Sequence, residues 1–342
     1  MSKCLLMLTL ALCLGSLSPA LAAEPPVKEL RAGIIGLDTS HVPAFTKIFN
    51  SPEASGDVAG IRVVVGYPGG TDYPPSRDRV EKFTAGMREA GVEIVDSIPE
   101  LLERVDVVLL ESVDGRIHLE EAIPVIQAGK PLFIDKPVAA SLADTIAIFE
   151  LAKKHSVPCF SSSSLRFASD LQAARKDDSL GEIVGAETWG PCEYQAGTPD
   201  LCFYGIHGVE MLFTLLGTGC TSVSRTQTDR GDLVVGTWDG DRIGSFRGIR
   251  KGSASFGAVA FGSKKILPMQ TGAGYEELCH QIGRFFRTLE PPVDAATTIE
   301  ILAFIEAADE SKRQGGKPVA IADVLAKGQR DAAAKLAEIP SR

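Results

Sequence analysis

Little in this sequence points to a metal, a nucleic acid or a membrane span. Seven cysteines stand among 342 residues and no two form Cys-x-x-Cys, so that zinc and dithiol spacing is absent. Lysine and arginine total 35 against 44 acidic residues, a net charge of −9. That balance excludes the basic face a nucleic-acid partner requires, and an acidic surface favours solubility. The apolar run at 4–17 is too short and too poorly flanked to span a bilayer. No internal repeat occurs, and the serines at 161–164 are the only low-complexity stretch. The glycine-rich fingerprint G-x-G-x-x-G of dinucleotide folds is also incomplete.

The same apolar run, preceded by Lys3 and followed by Ala20-Leu21-Ala22, has the form of a signal peptide over residues 1–22. No twin arginine precedes it, so the general secretory route is expected, with a periplasmic or extracellular destination and no membrane attachment after cleavage. Five cysteines remain: Cys159, Cys192, Cys202, Cys220 and Cys279. Cys192 and Cys202 flank a loop and have the option of pairing in an oxidising compartment.

What is present is an alternation. Strands are expected near 32–37, 61–65, 107–110, 132–134 and 157–160, with helices after Ser40 and over 77–90 and 98–104. This predicts a doubly wound parallel sheet, a Rossmann-like domain over 29–160. From Ile183 onward, short strands separated by turns such as Asp239-Gly240-Asp241 predict a second, α+β domain over 161–320 with a large, mostly antiparallel open sheet. Its last helix is placed at about 296–313, and 321–342 is read as a C-terminal tail. At the carboxyl edge of the first sheet, loops would gather Asp38, Thr39, Ser40, His41, Ser112, Asp114, His118, Asp135 and Lys136. The competing reading of such a group is a hydrogen-bonded cluster holding loops; a divalent metal among Asp38, His41 and His118 stays open. The serines at 161–164 and Arg166 follow the last strand, as substrate contacts or as a polar loop between domains.

Two stretches carry a resemblance. One is Ser112 through His118, a helix closing in Ala128-Gly129-Lys130, a short strand, and Asp135-Lys136-Pro137. The other is the helical segment from Tyr204 through His207 to Leu216. Together they resemble the Gfo/Idh/MocA oxidoreductases, whose corresponding motif is Glu-Lys-Pro, and the likeness runs to Pro318. The resemblance implies an NAD or NADP cofactor and a sugar or polyol substrate. Lys136 and His207 would be the catalytic pair. His118, Arg166 and Tyr204 are read as candidate substrate contacts, while in the family the residue matching His118 mostly supports its loop. Gly36, Asp38, Thr39, Ser40, Ser112, Asp135 and Lys136 would face the cofactor. It also implies that the helix over 296–313 braces the first domain, and it allows a homo-oligomer.

The chain departs from that pattern at three points. Counted from Gly36, the second and third fingerprint glycines are Asp38 and His41. An aspartate about 4 Å from a pyrophosphate would oppose it by about 4 kcal/mol at an effective dielectric near 20, unless it turns away to cap the helix. The second strand ends in Gly66-Tyr67-Pro68-Gly69-Gly70, with no acid for a ribose before Asp72. The family's aspartate four residues before the histidine is Phe203 here, with Asp200 or Tyr204 as substitutes. Two functions follow: a nicotinamide-dependent oxidoreductase, or an exported carbohydrate-binding or non-redox protein that has lost the cofactor.

Overall fold

The computed structural model describes residues 29–272 and 274–340. The signal-peptide reading of residues 1–22 lies outside that part. The first half alternates as β1 (Leu30–Ile35), α1 (His41–Phe49), β2 (Ile61–Tyr67), α2 (Pro74–Arg77), α3 (Val80–Glu89), β3 (Glu93–Ile94), α4 (Ile98–Leu102), β4 (Val107–Leu110), α5 (His118–Gln127), β5 (Leu132–Asp135), α6 (Leu142–Lys154) and β6 (Cys159–Ser162). The six strands are parallel in the order β3-β2-β1-β4-β5-β6. The order reverses beside β1, and there an open α/β sheet leaves a crevice at its carboxyl edge. β4 and β5 are buried throughout, as strands covered on both faces must be.

The helix expected over 77–90 is two pieces, because Pro74 and Pro75 start a separate turn and Arg79 then leaves helical geometry. β6 lies two residues later than expected, so Ser161 and Ser162 are strand residues paired with Ile134 and Asp135, not an interdomain loop.

The second half contains α7 (Ser169–Arg175), β7 (Ile183–Pro191), α8 (Gly205–Leu216), β8 (Cys220–Thr228), β9 (Gly231–Trp238), β10 (Arg242–Ile249), β11 (Gly257–Gly262), β12 (Ile266–Met269), α9 (Glu276–Thr288), α10 (Ala295–Arg313), β13 (Val319–Ala320) and α11 (Ile321–Glu338). Its seven strands run β12-β11-β7-β10-β9-β8-β13, antiparallel except for β7 with β10.

Two cores hold the molecule. One joins α6, the inner face of the second sheet, α8 and α10; the other joins β1, α1 and the apolar side of α9. Leu278, Ile282, Phe285 and Phe286 of α9 thereby cover one face of the first sheet. The segment read as a tail holds α11, which packs on α6 closely enough that a Cβ at Gly328 would come within 2.7 Å of Leu142. α10 also meets the first half: Glu306 accepts a 2.7 Å hydrogen bond from the Leu142 amide at the start of α6. All five described cysteines are free thiols, Cys192 and Cys202 included.

Candidate active site

Lys136 leaves β5 at the carboxyl edge of the first sheet, one residue after Asp135, and its bond to Pro137 is cis. His207 lies in the first turn of α8, in the other domain. Both line one cleft of about 290 Å³. Thr39, Ser40 and His41 enter it from the amino end of α1, Tyr204 and Phe203 from before α8, Arg79 from between α2 and α3, and Tyr275 from the start of α9.

His207 is held at one nitrogen, with Nδ1 2.7 Å from Ser163 Oγ. Burial, then the nearby Lys136 ammonium and His41, push its pKa well below the usual histidine value, so the ring is neutral near pH 7. His41 is fixed from three sides. Its Nδ1 lies 2.8 Å from Asp135 Oδ2, its ring stacks on Phe45, and Tyr275 meets it edge-on at 4.7 Å. Burial works to raise the Asp135 carboxyl, but His41 and Lys136 outweigh it and hold the group below the ordinary aspartate value. Asp135 therefore stays ionised behind the cleft, against His41, and is not among the residues that line it.

Several expected site residues serve the protein itself. Asp38 is fully buried and accepts from Ser76 Oγ at 2.5 Å and from the Val113 amide at 2.8 Å. It thus ties together the loops after β1, β2 and β4, and neither faces a ligand nor caps α1. Gly36 has φ +85°, and a Cβ there would stand 2.4 Å from Ser112 Cα. The glycine is required by loop-on-loop packing. Ser112 Oγ donates to Glu121 at 2.6 Å, and burial raises the Glu121 carboxyl to about 8. His118 is fully buried with both ring nitrogens on backbone oxygens, Val138 O at 3.1 Å and Ser112 O at 2.7 Å, which leaves neither for substrate. Arg166 is buried against Glu210, its Nε 2.6 Å from Oε2, and does not line the cleft. Asp200, one substitute for the missing family aspartate, meets Arg225 at 2.8 Å instead. Tyr204, the other, is in the cleft.

Asp38, His41 and His118 therefore have three different sets of partners. Among the described residues, no group of three or more His, Cys, Asp and Glu is placed to hold a metal. Arg79 and Tyr275 line the cleft without having been singled out in the sequence.

Does this edge suit a dinucleotide? At the cleft it does. Asp38 is turned inward onto Ser76 and the Val113 amide, and Thr39, Ser40 and Lys136 remain at the open edge beside the amino end of α1. At the adenosine end, β2 offers no acid, and Asp72 is engaged at the surface by Arg116 at 3.0 Å.

Residues 73–163 match the family model GFO_IDH_MocA, described as an oxidoreductase family with an NAD-binding Rossmann fold. That match begins after the altered glycine loop. The uncharacterized oxidoreductase YhhX of Escherichia coli is 32% identical over 111 residues, 29% of this chain and 32% of that protein. The chain thus matches about a third of the length of that curated relative. Among solved structures, a probable dehydrogenase from Thermotoga maritima gives a TM-score of 0.70 at 19% identity, covering 86% of this chain and 100% of the other. Scyllo-inositol dehydrogenase from Lactobacillus casei, solved with NAD(H) and scyllo-inositol, gives 0.70 at 13% identity over 86% and 100%. At those identities the structures establish the fold. The fold is that of dinucleotide-binding oxidoreductases, a parallel six-stranded sheet followed by a mostly antiparallel seven-stranded one. Over residues 73–163 the chain is similar to the NAD-binding Rossmann segment of the Gfo/Idh/MocA oxidoreductases.

Proposed function

We propose that the protein is an NAD(P)-dependent oxidoreductase acting on a hydroxyl of a sugar or polyol, with Lys136 and His207 at the reacting group. The observation that carries this reading is their meeting in one cleft from separate domains, beside Thr39 and Ser40. A bound nicotinamide supplies the hydride acceptor or donor. The chain's own part is proton handling and orientation. With Ser163 on Nδ1, the Nε2 of a neutral His207 is left to take the hydroxyl proton. The Lys136 ammonium donates to the same oxygen and stabilises negative charge that develops on it. Phe203, Phe256 and Leu165 line the remaining wall and limit water.

The alternative, an exported carbohydrate-binding or non-redox protein, keeps one observation: the absent ribose acid at the end of β2. Export itself is a further proposal and rests on residues outside the described part.

The test is a screen of the purified protein with NAD+ and NADP+ against inositols, hexoses and hexitols, read as reduced-nicotinamide absorbance. Turnover is expected, and Lys136→Ala should lower it by about 10²- to 10⁴-fold while far-ultraviolet circular dichroism is unchanged. Turnover that survives Lys136→Ala would remove the assigned site. Failure to bind either nucleotide would favour the non-redox alternative.

A further inference from the structure

The cleft presents cations and no carboxylate. Arg79 and Lys136 line it beside His41 and the neutral ring of His207, and no aspartate or glutamate does. In a chain of net charge −9, this differs from the protein as a whole. The two acids nearest these cations face inward: Asp38 is taken by Ser76 and the Val113 amide, and Asp135 by His41. Among the described residues Lys136 enters no ion pair. Arg79 donates from Nε to Pro75 O at 2.5 Å, lines the cleft, and among the described residues enters no ion pair. The two most buried arginines contrast with it. Arg166 has Glu210, and Arg225 has Asp200, Asp232 and Asp309. A guanidinium without an acidic partner on a cleft wall matches a planar oxyanion.

We propose that the cleft takes an anionic substrate, a polyhydroxy carboxylic acid whose carboxylate sits at Arg79 while a hydroxyl reaches Lys136 and His207. This deepens the function proposed above and rests on the same cleft. A volume of about 290 Å³ suits a single sugar-sized acid, not an oligosaccharide. A substrate carboxylate and a dinucleotide phosphate offer the same chemistry to Arg79, so the test separates them.

The experiment is calorimetric titration of the full chain, with and without NADH, using matched probes: D-glucuronate against D-glucose, and D-gluconate against D-sorbitol. Each acid is expected to bind about tenfold or more tighter than its neutral partner, as a charge-assisted contact gives. Arg79→Gln should bring each pair to within about twofold and leave NADH affinity unchanged. Equal binding within each pair, or no binding of either acid, overturns the inference. So does an Arg79→Gln protein that keeps the discrimination but loses NADH, which would assign the guanidinium to the cofactor. No arm reads turnover. An acid that binds without being oxidised or reduced would therefore count against the redox reading alone.

Discussion

Two groups of cations in this molecule have opposite surroundings. Arg225, on β8, is fully buried and saturated: Nε lies 2.9 Å from Asp232, Nη2 2.8 Å from Asp200 and 2.6 Å from Tyr194 Oη, and Nη1 meets Asp309. Arg250 adds a second pairing to Asp232, and stacks over the Tyr194 ring at 4.2 Å. This hub joins β8, β9 and α10 to the loop before α8. The cleft cations are fewer and lack such partners. Where every donor has an acceptor within the chain, the charge serves the fold; where donors are left over on a concave wall, they are available to a ligand.

The comparison breaks most severely at His207. His207→Gln should lower kcat/KM by about 10²- to 10⁴-fold with unfolding by urea little changed. The pH profile sharpens it. Because the folded pKa of His207 lies well below its unfolded value of about 6.5, the native state binds fewer protons there, and stability falls as pH drops through about 6.5. The neutral base persists below that pH, so kcat/KM should stay flat through about pH 6.5 and fall on a limb well beneath it. A limb at the ordinary histidine value would assign the proton to another group.

The hub should respond the other way. Arg225→Met leaves the buried Asp232 with Arg250 and the Tyr194 hydroxyl, and is expected to cost about 3 kcal/mol in urea unfolding, the low end for a broken buried pair. Activity per folded molecule should be unchanged; a matching loss of kcat would couple the hub to the cleft. The smallest effect is expected at Ser163→Ala. Losing the 2.7 Å contact to His207 Nδ1 should lower kcat by up to about tenfold with little change in stability, a net hydrogen bond of about 1 kcal/mol. A loss as large as that of His207→Gln would make the hydroxyl part of the proton path.

The sequence was most informative where pattern and chemistry are local. Apolar runs at 107–110 and 132–134 identified β4 and β5, and the alternation from Ile183 identified the second sheet. The Asp-Lys-Pro and Tyr-Gly-Ile-His motifs led to Lys136 and His207, which the fold brings into one cleft. α11 escaped because a gap at Gly315-Gly316 looked like an end, and only Leu142 and Ile146 of α6 give its Gly328 face a place to pack.

The side chains at the sheet edge were less legible. His118, Ser112 and Asp38 have the right residue types and the right loops, yet each turns to a partner 6 to 75 residues away. Arg166 was drawn away by Glu210, 44 residues later. Residue type and loop position, readable from the chain, determined that acids, histidines and a lysine gather at one edge. Which of them point inward and which remain for a ligand was decided only in the folded protein. That choice depends on which buried groups find partners across the sequence, and in a low-dielectric interior an unpaired polar group costs too much to be left to local preference.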